Sequence, residues 1–218
     1  ETGAEYTIKT TLLKDRVTIT LDTSGVGLHK RGYRVADVQA PIKETLAAAL
    51  VQLSFWKEGR LLLDPCCGSG TIPIEAALIG RNIAPGLNRE FVSEGWHVIP
   101  KKLWQEEKKK AYEAIKYDAE FRIEASDVNP RAIQAAMENA AEAGVDDCIH
   151  FRVLDISGIA AAEEGGVIIV NPPYGERIGE EKEIEKIYTS LAAFMKKNPT
   201  WSLFLITTDK ELEQKIMG

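Results

Sequence analysis

The stretch Leu61-Leu62-Leu63-Asp64-Pro65-Cys66-Cys67-Gly68-Ser69-Gly70-Thr71 constrains this chain more than any other. A short apolar run ends in an acid, a glycine-rich turn follows, and apolar periodicity resumes at Ile72. This pattern is that of a buried parallel strand feeding a tight loop and a helix. Glycines let the backbone come close to a ligand where a Cβ would collide, and the helix behind them aims free N–H groups at the same spot. The layout is that of a cofactor loop; an ordinary strand, turn and helix is the plain alternative.

The ligand can be narrowed. Gly68 and Gly70 supply G-x-G, but Pro73 stands where a dinucleotide fingerprint has its third glycine. No Gly-Lys-Ser/Thr follows, so a P-loop is excluded as well. Asp64 at the strand end would repel a pyrophosphate and attract an ammonium, such as the one in the methionine tail of S-adenosylmethionine. A second constraint lies far downstream at Val167-Ile168-Ile169-Val170-Asn171-Pro172-Pro173-Tyr174-Gly175-Glu176-Arg177. There another buried strand ends, and two prolines take the chain out of the sheet along a stiff path.

Asp64 to Thr71 taken with Asn171 to Tyr174 resembles the amino-methyltransferases, which methylate exocyclic or amide nitrogens. The Tyr-Gly-Glu-Arg continuation, together with His29-Lys30-Arg31-Gly32-Tyr33-Arg34, resembles more narrowly the THUMP-associated RNA guanine-N2 methyltransferases, over nearly the whole chain from Leu28 onward. The resemblance implies an α/β fold: a Rossmann-like class I methyltransferase with a mostly parallel sheet and helices on both faces. It implies S-adenosylmethionine as cofactor, RNA (ribosomal RNA foremost) as partner, and an N-terminal THUMP domain in the full-length protein. Such sheets carry seven strands, and this chain is expected to stop short of the last two.

The chain has 218 residues, enough for one α/β domain and a small appendage. We divide it into a hairpin or linker remnant over 1–27 and a methyltransferase domain over 28–218, with an insertion at 81–120. Without an initiator Met, a signal peptide or a membrane-length apolar run, it reads as a piece of a soluble protein. Three cysteines, two of them adjacent, point to reduced thiols and the cytoplasm, and their spacing supplies no zinc site. The net charge of −6 is unusual for a protein that grips RNA unaided, so either local basic clusters or a partner domain must do so.

Taken in order, residues 6–21 alternate as a β-hairpin with Val17, Ile19 and Leu21 on one face and a tight turn at Lys14-Asp15. In the basic loop 29–34, Arg31 and Arg34 are candidate phosphate contacts and Tyr33 a stacking residue; a solvated turn explains the loop equally well. Pro41 opens a helix carrying Ile42, Leu46, Leu50 and Leu53, with Phe55-Trp56 as core at its end. The insertion, with Trp96, Trp104 and a lysine-rich helix from Lys101 to Tyr117, suits substrate contact or a solvated face. Strands follow at 121–126, 149–154 and 202–207. A helix capped by Asn129-Pro130 closes at Gly144, another runs from Ile184 to Asn198-Pro199, and a last one begins at Asp209.

The candidate site gathers at strand ends. Asp127 is placed to accept both ribose hydroxyls of an adenosine. The resemblance implies that Asp155 pairs with the adenine amino group and that Val128 or Ile156 lies on the ring. Asp64, Cys66, Gly68, Gly70, Thr71 and Asn171 complete the cofactor set. The catalytic set is Asn171, Pro172, Pro173 and Tyr174: two oxygen acceptors for the target amine, held still by prolines, and a ring for a base swung out of its helix. Arg177 is a candidate phosphate contact, oriented by Glu176. No metal is called for. The same chemistry on adenine N6, on tRNA guanine or on a protein glutamine stays open, as does a binding module without catalysis.

Overall fold

The fold was taken from a computed structural model, which describes residues 3–36, 41–173 and 181–207. Tyr174, Glu176 and Arg177, and the helix expected from Asp209, lie outside the described residues.

A hairpin comes first. β1 (Thr7–Leu13) pairs antiparallel with β2 (Arg16–Asp22), and Lys14 and Asp15 take the left-handed φ values of 47° and 59° that match a two-residue turn to the twist of the strands. After it come α1 (Glu44–Leu53), β3 (Leu61–Asp64), α2 (Thr71–Gly80), α3 (Lys101–Glu113), β4 (Arg122–Asp127) and α4 (Pro130–Glu142). β5 (Ile149–Val153), β6 (Val167–Val170), α5 (Glu181–Lys197) and β7 (Ser202–Leu205) complete the described elements.

The five strands β3 to β7 form one parallel sheet in the order β5-β4-β3-β6-β7. The chain winds outward from β3 through β4 to β5, then returns to the other side of β3 as β6. The direction of winding therefore reverses between β3 and β6, and the crevice at their carboxyl ends is where ligands bind in open α/β sheets. Alternation along the strands sends Leu62, Val167 and Ile169 into a core with α1, α2 and α4, and Leu61, Leu63, Ile168 and Val170 into a second core with α5. Every residue of β3 and β6 is buried, as expected for central strands covered on both faces.

Three expectations for the first helix are corrected. It begins at Glu44, because Lys43 is still extended at φ −67°, ψ 139°, and its buried positions are Glu44, Ala47 and Val51. Leu46 and Leu53 remain 45% and 65% exposed. Phe55, at φ 54°, is turned out to solvent, 79% exposed, while Trp56 enters the core edge-on to Phe121. By contrast α4 is bounded as its signals indicate: the Asn129 side chain accepts from Arg131 N, Pro130 is the first helical residue, and Gly144 follows the end at φ 70°.

Residues 81–120 have two parts with different work. The first part holds the base of the hairpin: Trp96 stacks on Tyr6 at 4.9 Å and its Nε1 donates to Glu5 O at 2.7 Å. Ser93 donates to Thr23 O through both N and Oγ, and Arg89 donates to Gly27 O at 2.9 Å. The second part, α3, buries no residue; Lys102, Lys109 and Lys110 pair with Glu106, Glu113 and Glu107 of the same helix. These three lysines thus form a solvated ladder, while Lys108 reaches out of the helix to Glu94 at 2.9 Å. No helix among the described residues is long and apolar enough to cross a membrane.

Candidate active site

Asp64 ends β3 with a side chain that is 1% exposed. Its Oδ1 accepts from Cys66 N at 3.2 Å, and its Oδ2 is buried with no hydrogen-bond partner among the described residues. Burial pushes this carboxyl well above the usual range, and the charge of Asp127 pushes the same way. A buried carboxylate with a spare oxygen is a seat for a cation.

The loop that follows is built tightly. Cys67 N donates to Ser126 O at 2.9 Å and Gly68 N to Asp127 Oδ2 at 3.0 Å, which ties the turn to the end of β4. Gly70 stands at φ 83°, where a Cβ would lie 2.9 Å from the Cβ of Ala136, so only glycine admits this approach of loop and α4. α2 then starts at Thr71 with Gly70 as its N-cap and no side-chain cap. Its first N–H groups are not taken by a capping side chain, the arrangement that favours a carboxylate or phosphate. An orphaned acid beside an uncapped helix start fits the ammonium and carboxylate of an amino-acid tail, and so fits S-adenosylmethionine.

The other candidate residues lie along the same edge. Asp127 ends β4; its Oδ1 accepts from Asn129 N at 2.8 Å, and Val128 beside it is 57% exposed. Asp155 follows β5, and its Oδ1 accepts from Ser157 N and Oγ at 2.9 and 2.6 Å. Its Oδ2 meets Lys186 Nζ of α5 at 2.5 Å, so the acid expected to pair with an adenine amino group already has an ion-pair partner. Ile156 is buried. Cys66 is half-buried, its thiol pushed far up by burial and then by Asp64 and Asp127, which makes it a wall and not a nucleophile.

Asn171 follows β6 directly and is half-buried, with Pro172 buried and Pro173 exposed. β6 lies beside β3 with Leu62 opposite Val167 and Leu63 opposite Ile168. The glycine turn and the Asn-Pro-Pro segment therefore leave the sheet on one rim, from strands that are neighbours.

The basic loop is placed otherwise than expected. Tyr33 is 3% exposed, and its hydroxyl donates to Glu75 Oε1 at 3.0 Å, so the ring is core and has no face for a base. Arg31 donates to both oxygens of Glu75 at 3.3 and 3.4 Å. Arg34 pairs with Glu44 at 2.9 Å and donates to Ser69 Oγ and Thr71 Oγ1 at 3.1 and 3.0 Å. Their guanidinium groups are spent inside the protein, against the cofactor loop. The partners Glu44, Glu75 and Asn139 went unnoticed in the sequence. The signal for one of them was legible: an acid in the otherwise apolar Thr71–Gly80 helix has to find a buried donor. Among the described residues no three His, Cys, Asp or Glu side chains gather as a metal site.

Comparison with known proteins agrees with this geometry. The model of the RMKL-like methyltransferase domain matches residues 31–218. The "Putative RNA methyltransferase YpsC" of Bacillus subtilis (strain 168) is 52% identical over 214 residues, 98% of this chain and 56% of that protein. "Ribosomal RNA large subunit methyltransferase K/L" of Shewanella baltica (strain OS195) is 40% identical over 215 residues, 96% of this chain and 30% of that protein. A solved structure described as a "predicted N6-adenine-specific DNA methylase" from Listeria monocytogenes superposes with a TM-score of 0.93 at 49% identity, over 99% of this chain and 57% of that one. SMU.472, solved in complex with SAH, superposes at 0.91 with 40% identity, over 100% of this chain and 57% of that one. The chain thus spans about half the length of YpsC and under a third of the K/L enzyme. By the match of its model and by its fold, the chain belongs to the family of RMKL-like methyltransferase domains, whose methyl donor is S-adenosylmethionine.

Proposed function

We propose that this domain methylates the exocyclic N2 amine of guanine in RNA, with ribosomal RNA as the substrate class, in the cytoplasm. The observation that carries the proposal is the pairing of β3 with β6, which supports a donor loop and an acceptor segment facing each other across one crevice. The name of the K/L relative supports RNA of the large ribosomal subunit as the substrate.

The bound cofactor supplies an electrophilic methyl group on a sulfonium. Asp64 receives the ammonium of the tail, the start of α2 receives its carboxylate, and Asp127 receives the ribose hydroxyls, with Val128 or Ile156 against the adenine. The target amine is a poor nucleophile because its lone pair is delocalised into the ring. Asn171 Oδ1 and the Pro172 carbonyl each accept one N–H, which draws the nitrogen toward a tetrahedral shape and turns its lone pair toward the methyl. With the cofactor bound, a new C–N bond would form as the C–S bond breaks, and the nitrogen would then release one proton to solvent. Pro172 and Pro173 hold the acceptors still, and Tyr174 and Arg177 are assigned to the flipped base and a phosphate.

The RNA is gripped elsewhere. α3 spends lysines on its own glutamates, and Arg31 and Arg34 face inward. We assign RNA capture to a THUMP domain of the longer protein, seated toward the hairpin over 1–27.

Transfer of tritiated methyl from labelled cofactor to total RNA, followed by nucleoside analysis, tests the proposal. N2-methylguanosine is expected; N6-methyladenosine or a labelled protein would assign the same chemistry to another substrate, and no transfer would reduce the domain to a binder. Asn171→Ala should abolish transfer while leaving cofactor affinity nearly unchanged, and near-normal turnover in that variant would remove Asn171 from the mechanism.

A further inference from the structure

We infer that residues 31–36 form a positioning strap for the cofactor loop, with Arg34 as its fixing residue. The inference rests on the cofactor assignment and not on the choice of RNA.

Three attachments make the strap. The guanidinium of Arg34 lies against Glu44 Oε1 at 2.9 Å, Ser69 Oγ at 3.1 Å, Thr71 Oγ1 at 3.0 Å and the carbonyl of Ile42 at 3.3 Å. Asn139 of α4, fully buried, accepts from Val35 N and Ala36 N, both at 2.9 Å, and donates to Ala36 O at 2.8 Å and Ser69 O at 3.0 Å. One helical turn into α2, Glu75 takes Tyr33 and Arg31. Ser69 is therefore held twice, its hydroxyl by Arg34 and its carbonyl by Asn139.

The consequence falls on the ligand side of the loop. Serine and threonine next to a helix start are natural caps, whose hydroxyls satisfy the first N–H groups themselves. Here both hydroxyls accept from Arg34, and α2 begins with no side-chain cap. The strap thus leaves the start of α2 without a side-chain cap and fixes the turn with Gly70 in its left-handed conformation. Glu44 pairs with Arg34, so the clamp carries a countercharge for its guanidinium. A planar fork is needed to reach acceptors on α1, the loop and α2 together, and lysine, a single point donor, cannot replace it.

The test compares Arg34→Lys, Ser69→Ala and their double variant by calorimetric binding of S-adenosylhomocysteine and by steady-state kinetics. Arg34→Lys should raise the cofactor Kd and KM about tenfold, the cost of roughly one charged hydrogen bond, with kcat within about twofold. Ser69→Ala, a small change that keeps the fold, should weaken binding in the same direction. Combined with Arg34→Lys it should add less than the product of the two effects, since both remove one contact. Unchanged cofactor affinity in both single variants overturns the strap, as does a rise confined to the KM for RNA. If the unmodified chain itself fails to bind S-adenosylhomocysteine, the cofactor assignment fails and the strap falls with it.

Discussion

The N–H of Gly68 donates to Asp127 Oδ2 across 3.0 Å, so the acid that ends β4 braces the glycine turn that follows β3. Its other oxygen holds Asn129 N, which starts α4. Asp127 thus serves the loop, the helix start and, in the proposed mechanism, the ribose.

Asp127→Ala should therefore lose cofactor affinity by more than a missing ribose contact. We expect a drop of about 30-fold, near 2 kcal/mol, with a fall of a few degrees in Tm from the freed turn. Asp127→Asn keeps an oxygen acceptor and should recover most of the thermal stability but only part of the affinity. Calorimetry with S-adenosylhomocysteine and a thermal melt check the pair; equal Tm losses in both variants would dismiss the brace.

Gly70→Ala addresses the same turn from the α4 side. The added Cβ would meet Ala136 Cβ at 2.9 Å and its Cα at 3.2 Å, with the backbone at φ 83°. Left-handed strain and a clash against helix backbone together should destabilise the chain by about 3 kcal/mol. Urea denaturation reads this directly, and a change under about 1 kcal/mol would mean the two elements part easily.

Much of this architecture was legible in the sequence, and the exceptions have two causes. β3 and β6 announce themselves as continuous apolar runs because both of their faces are buried, and α4 because its caps are local chemistry. α1 is harder to read because it packs on α2 in a core where Ala47, Ala76 and Ala77 are all fully buried, and close approach of helices rewards alanine over leucine. A hydrophobicity pattern ranks the leucines inside and cannot see that choice. The inward turn of Arg31 and Arg34 was hidden for a different reason. Their partners Glu44, Ser69, Thr71 and Glu75 lie 10 to 44 residues away, so a cluster that looks basic in sequence is neutralised only in space.

The ion pair of Asp155 with Lys186 makes a prediction about pH. The hydrogen bond from Lys186, followed by those from Ser157, holds the Asp155 carboxyl down from 3.8 to about 2. A depressed acid contributes stability that is complete above its unfolded value and is lost as pH falls through the folded one. The contribution should thus be intact at neutral pH and disappear between about pH 4 and pH 2. The pair is exposed, 51% and 39% at its two side chains, so solvent screening keeps it below about 1 kcal/mol. Lys186→Met should raise the Asp155 pKa toward the ordinary value in a carboxyl-carbon NMR titration. A carboxyl that stayed near 2 would assign the depression to Ser157 alone.

The hairpin supplies the last prediction. Its register sets Ile8 opposite Leu21, Thr10 opposite Ile19 and Leu12 opposite Val17, so one face is almost wholly apolar. That face is exposed, with Leu12 at 71% and Ile19 at 70%, and a two-stranded ribbon of this kind is marginal on its own. What holds it is the base, where Trp96, 5% exposed, stacks on Tyr6 and donates to Glu5 O. Trp96→Ala should cost the hairpin about 3 kcal/mol of local stability while leaving the parallel sheet intact. Ile19→Thr should cost less than about 0.5 kcal/mol, since it removes little that is buried. Native-state hydrogen exchange separates the two: in Trp96→Ala the amides of 7–22 should lose protection while those of 61–64 keep theirs. Trp96→Phe, which keeps a ring and loses the N–H, should fall between. Were protection in 7–22 to depend on Ile19 and not on Trp96, the ribbon would be held through its face, and the insertion would need another explanation.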